Sequence, residues 1–386
     1  MHKLAALVAS AAAGGAGAES TSIFKIGFPE VGLCGQEDSV TKSMTNPNWF
    51  CPMRLWGFRE GVCAEMGYTN FQRDEVVTMH HYNWSFKLYA ATQTPTRDVQ
   101  MSDPSRNRTI NMKLCMPTAA ENRTFPLYVF GHGAGCDAED YQYFCQVAVV
   151  AMMYHDTPGH TIFPDDFDMA SAAEDMAFIA RELPLQAKTP DSALKGKLDG
   201  TVLIGGHSMG GGVTVLAAGG HAAKASGIAV FAPGLYTIPA ATPFLDKVTA
   251  PALVVSGSMD CGKNALEKEA QPTYDGLASA RKFLVVIKGA NHCQWTQPFE
   301  RVLGICSTFG RNEPHGISRL QQHDIGQRLV RAFALALANG GEAWESFEEV
   351  LRSGEAEDLW TYASSTTRPG RRLHSDCPHV AAALIV

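Results

Sequence analysis

Six short apolar runs constrain this chain most. They are FPLYVF (125–130), VAVVAMM (147–153), TVLIG (201–205), GIAVFA (227–232), ALVVSG (252–257) and KFLVVIKG (282–289). Each is bounded by loop residues and lacks the polar alternation of a half-exposed strand, so each reads as a strand buried on both faces. The run TINMKLCMP (109–117) does alternate and reads as a half-buried strand. Between the runs lie helical patterns. Met169, Ala173, Met176, Ile179, Ala180 and Leu183 recur at helical spacing up to Pro184, and IGQRLVRAFALALANG is amphipathic and stopped by Asn339 and Gly340. Strands alternating with helices predict an α/β fold with a mostly parallel central sheet and helices on both faces.

With 386 residues the chain exceeds one average domain, but one α/β domain of about 250 residues with appendages accounts for it. The ends differ from the middle. Residues 1–18 end in Ala16-Gly17-Ala18 after an Ala/Leu/Val stretch and read as a signal peptide. Residues 19–94 are irregular and hold three cysteines, which predicts a cysteine-rich N-terminal extension pinned by disulfides. Residues 95–340 carry the catalytic domain, and residues 341–386 read as a charged, irregular tail without an assigned role.

Ten cysteines suit an oxidising compartment, and the sequons at Asn83, Asn107 and Asn122 predict glycosylation on a secretory route. A plastid reached through that route is compatible with the same leader. No close Cys/His cluster suggests a metal, and no later segment has the length of apolar sequence a membrane span needs. A net charge of -7 without a basic patch argues against a nucleic-acid partner.

The chemistry sits in TVLIGGHSMGGGVTVLAA (201–218), where Gly206-His207-Ser208-Met209-Gly210 is G-x-S-x-G between a strand and a helix. Such an elbow holds serine on a strained turn and pushes its hydroxyl out at the carboxyl end of the sheet. As a bare pattern it arises by chance; the strand before and the helix after make it specific. Serine needs a base, and the base an orienting acid. Asp260 leaves the ALVVSG strand and His292 leaves the next one, so both reach the same sheet edge as Ser208. Asp246 precedes its strand, Asp275 belongs to a helical segment, His315 and His323 follow no strand, and His207 points away as a packing residue. For the oxyanion, the backbone N–H groups of Met209 and Ala134 are the expected donors, Ala134 lying in the glycine-rich loop GHGAGCDAEDY.

The segments FGHGAG, GHSMGGG, VTAPALVVSGSMD and KGANH resemble the α/β-hydrolase superfamily over roughly residues 95–340. They are most similar to the branch of PET hydrolases and cutinases, platelet-activating-factor acetylhydrolases, dienelactone hydrolases and chlorophyllases. The resemblance implies Ser208 as nucleophile, Asp260 as acid, His292 as base, and Ala134 with Met209 as oxyanion hole. It also implies a disulfide between Cys261 and Cys293. Polyester hydrolases carry an aromatic clamp where FAPGLY has Gly234, with Tyr236 close by. Between Cys145 and Val149 the chain is short for a helix and turn, so either the first helix is trimmed or a few residues are missing there.

The expectation is therefore a secreted, monomeric serine carboxylester hydrolase without metal or organic cofactor, acting on a small-molecule, lipid or polymer ester. A chlorophyllase cleaving the phytyl ester is the alternative within the family. A non-catalytic binding module on a hydrolase fold is the alternative of another class.

Overall fold

The computed structural model describes residues 96–376 except 118–122, 135, 137, 154–167, 222, 236–238, 261–265 and 297–315. The leader, the N-terminal extension, Asn83, Asn122, Tyr236, Cys261 and His315 lie outside the described residues.

Among the described residues nine strands form one sheet: β1 (Thr96–Asp103), β2 (Arg108–Cys115), β3 (Phe125–Gly131), β4 (Val149–Met153), β5 (Leu198–His207), β6 (Gly227–Phe231), β7 (Ala252–Gly257), β8 (Lys282–Ile287) and β9 (Trp360–Ser364). Their order is β1-β2-β4-β3-β5-β6-β7-β8-β9. From β4 to β8 every neighbouring pair is parallel, while β1-β2, β2-β4 and β8-β9 are antiparallel. This is a mostly parallel sheet, consistent with the α/β-hydrolase fold that the resemblance implies, and the six apolar runs supply its interior. Along β3, Leu127 and Val129 enter the core on one face and Tyr128 and Phe130 the core on the other, which is why no polar alternation marks these strands.

Five α-helices are described: α1 (Met169–Gln186), α2 (Met209–Gly220), α3 (Ala270–Gly276), α4 (Arg319–Asn339) and α5 (Glu342–Ala356). Helices α1, α2 and α3 cover one face of the sheet, and α4 and α5 cover the other. Asp168 caps α1 by accepting the N–H groups of Ala170 and Ser171, and Pro184 sits in its last turn instead of ending it. Helix α4 begins at a capping box made by Ser318 and Gln321, before the amphipathic pattern is evident, and stops where Gly340 takes φ 61°.

Two further features differ from the sequence reading. Residues 342–364, read as tail, form α5 and the sheet's edge strand β9. In α5 the acidic residues mask the apolar positions Trp344, Phe347 and Leu351; Phe347 and Leu351 are buried, and Trp344 and Phe347 pack with Phe283 and Phe333. Between β3 and β4 the connection is a 3-10 segment, Ala138–Gln146, rather than an α-helix, and the disulfide Cys115–Cys145 ties its end to β2. A cross-link closing 30 residues stabilises by about 3.6 kcal/mol, mainly by restricting the unfolded chain.

Candidate active site

Ser208 stands between β5 and α2 with φ 53° and ψ -116°, a conformation that a side chain rarely adopts. The turn is held from three sides. Ser208 N–H donates to Phe231 O at 3.0 Å, and its carbonyl accepts Gly211 N–H and Gly234 N–H, each at 2.9 Å. Close approach explains the two flanking glycines. A Cβ on Gly206 would lie 2.4 Å from the Gly210 backbone, and one on Gly210 would lie 2.1 Å from Gly131 O. Met209 begins α2, so its N–H has no acceptor within the helix and is available beside the serine.

Asp260 follows β7 and His292 follows β8, and the two loops are laced together. Ser258 N–H donates to Ile287 O at 2.8 Å, Met259 N–H to Ala290 O at 2.9 Å, and Gly289 N–H to Ser258 Oγ at 2.9 Å. Three side chains from three strand ends then meet in sequence. His292 Nε2 lies 3.0 Å from Ser208 Oγ, and His292 Nδ1 lies 3.1 Å from Asp260 Oδ2. Asp260 is fully buried, His292 nearly so, and Ser208 is the partly exposed member. A hydroxyl, an imidazole and a carboxylate in this order can move the serine proton onto the ring while the buried carboxylate offsets the charge.

The loop after β3 brings Ala134 to a half-buried turn. Its neighbour Gly133 donates its N–H to Tyr141 Oη at 3.1 Å, and that hydroxyl lies 2.8 Å from His207 Nδ1. Burial, then the neighbouring Cys136, pushes the Tyr141 hydroxyl well above its ordinary range, so it stays protonated. A Cβ on Gly133 would come 2.8 Å from His207 Nδ1. His207 thus does more than pack: with Tyr141 it anchors the loop carrying Ala134, and its ring lies 4.8 Å from that of His292. Nothing in the spacing of Tyr141 and His207 marks this pairing in the sequence.

A family model described as PETase, PET hydrolase-like, matches residues 164–304. The chain is similar to PET hydrolases, a branch of the α/β-hydrolases. No curated protein matches it. The PET hydrolase-like stretch contains Ser208, Met209, Asp260 and His292; the loop of Ala134, and helices α4 and α5, lie outside it.

Around the site, Cys293 is disulfide-bonded, while Cys261 falls outside the described residues. Asp246 and Asp275 are exposed, the first on a 3-10 segment and the second in α3. His323 is buried in α4 and stacked on Tyr143 at 3.8 Å. Asn107 is exposed at the β1–β2 turn. Among the described residues no cluster of His, Cys, Asp or Glu is arranged to hold a metal, and no helix is long and apolar enough to cross a membrane.

Proposed function

We propose that this chain is a serine hydrolase of carboxylic esters. The reading rests on one observation, the unbroken contact chain from Ser208 through His292 to Asp260 at the carboxyl edge of the sheet. Ser208 Oγ attacks the ester carbonyl carbon while its proton passes to His292 Nε2. The carbonyl oxygen becomes an oxyanion facing the N–H groups of Met209 and Ala134. Collapse expels the alcohol, which takes the proton from His292 and leaves an acyl group on Ser208. Water, deprotonated by His292, then attacks the acyl carbon, and release of the acid restores the serine. Asp260 holds the ring orientation and offsets the imidazolium charge throughout.

The substrate is an ester of a small molecule, a lipid or a polymer. Passage through an oxidising secretory compartment is part of the proposal, supported by the Cys115–Cys145 disulfide and the bonded Cys293. The test is hydrolysis of a short-chain nitrophenyl ester. Ser208→Ala should lose about 10⁴-fold or more in kcat, as removal of such a nucleophile does elsewhere. Turnover at the wild-type level would overturn the proposal.

A further inference from the structure

Helix α4 lies beyond the PET hydrolase-like stretch, yet its first turns grip the segment that presents His292. Gln322 is completely buried. Its Oε1 accepts the backbone N–H of Asn291 at 3.1 Å, and its Nε2 donates to the carbonyl of the same residue at 2.9 Å. Three residues earlier, Arg319 Nη1 donates to the carbonyl oxygens of Cys293, at 3.3 Å, and Thr296. The backbone is therefore fastened to one helix on both sides of His292. Within the segment, Asn291 Oδ1 accepts Gln294 N–H at 2.9 Å, which fixes the turn itself.

An amide that pairs with both backbone groups of one residue sets the position and the tilt of that residue together. His292 needs both, because its two ring nitrogens must meet Ser208 and Asp260 at once, at 3.0 and 3.1 Å. An apolar side chain of Gln322's size would fill the same space and leave Asn291 N–H and C=O without these partners. The helix is a firm support: Leu329, Val330 and Phe333 anchor it in the core, and the Ser318 capping box fixes its start.

We propose that Gln322 is a positioning residue for His292, holding the Asn291 peptide so that the imidazole bridges Ser208 and Asp260. The proposal rests on the serine-hydrolase reading. A displacement of about 1 Å far from the reacting atoms can lower a rate by about 100-fold, because the geometry of attack is narrow. The experiment compares wild type, Gln322→Ala and Leu329→Ala by ester hydrolysis, by the rate of fluorophosphonate labelling of Ser208, and by thermal melting. Leu329 is fully buried in the same helix and touches none of the hydrogen bonds above, so its truncation reports general loss of stability.

Gln322→Ala should lower kcat by about 10- to 100-fold with KM within about twofold, and should slow labelling by the same factor. Leu329→Ala should lower the melting temperature while kcat per folded molecule is retained. Should Gln322→Ala fail to fold, Gln322→Met fills the same space but offers Asn291 neither acceptor nor donor, and the same losses are expected. Wild-type kcat and labelling rate in the folded Gln322 variant would overturn the positioning role and leave the hydrolase reading intact. A wild-type protein that neither labels nor hydrolyses esters would overturn both.

Discussion

The backbone N–H of Asp376 donates to the carbonyl of Ser258 at 2.7 Å, joining the last described residue of the chain to the loop that carries Asp260. The strand of contacts continues backward: Ser375 donates its N–H and Oγ–H to Glu267, each at 2.8 Å, and Leu373 N–H donates to Gln271 Oε1 at 3.1 Å. Residues 373–376 thus run from α3 to the turn after β7, and they brace both.

Glu267→Ala should destabilise the protein by about 1 kcal/mol at pH 7, the worth of such hydrogen bonds between partly exposed groups. Burial pushes the Glu267 carboxyl up, but the hydrogen bonds from Ser375 and from its own backbone N–H together outweigh it and hold the carboxyl below its ordinary value of 4.5. A carboxyl lowered on folding contributes stability above its unfolded pKa and loses it as pH falls through the folded one. The difference between wild type and variant should therefore be full at pH 7 and shrink below about pH 4.5. Urea midpoints measured across that range decide it, and a difference that stays constant down to pH 3 would contradict it.

Tyr141→Phe should keep the ring contact with Phe130, at 4.8 Å, while removing the acceptor for Gly133 N–H. A buried donor left without a partner costs about 1–3 kcal/mol, so the melting temperature should fall. Because the same loop carries Ala134, a proposed oxyanion donor, kcat should drop by about 10-fold. Steady-state kinetics beside a thermal melt checks both. Unchanged kcat would show that the loop keeps its place without Tyr141.

His323 supplies a pH dependence of stability. Burial, and then the charge of Arg319, lowers its pKa from 6.5 to about 3, so the ring is neutral in the folded chain. The unfolded chain takes up a proton near pH 6.5 and the folded chain does not until about pH 3, so stability falls as pH drops across that interval. His323→Phe, which keeps a ring against Tyr143, should flatten the slope. Denaturant titrations at half-unit steps from pH 4 to 7 read it, and equal slopes in both proteins would refute the assignment.

Much of this architecture was legible in the chain because its causes are local. The run ALVVSG is apolar at four successive positions, Ala252 to Val255, because β7 is covered on both faces, and the run states this without reference to any partner. The glycines at 206 and 210 were legible for a similar reason: the turn at Ser208 brings backbone within 2.4 Å of a would-be Cβ, and a five-residue pattern records it. The end of the chain was less legible. Helix α5 carries Glu342, Glu345, Glu348, Glu349 and Glu355 around its apolar stripe, so its composition resembles a solvated tail. Only the antiparallel register of Trp360 with Ile287 and of Tyr362 with Val285 makes the segment after it a strand of the sheet.

The sequence by itself determined the strand series, the elbow and the chain order of serine, aspartate and histidine, since hydrophobic periodicity and glycine placement are properties of neighbouring residues. Tertiary structure decided how those groups are held. Gln322 meets Asn291 across 31 positions and Tyr141 meets His207 across 66, and neither side chain carries any mark of its partner. Such hydrogen bonds are specified only when packed helices and strands bring distant backbone into reach, because a single polar contact is too weak to draw the chain together and becomes directive only after the core has excluded water.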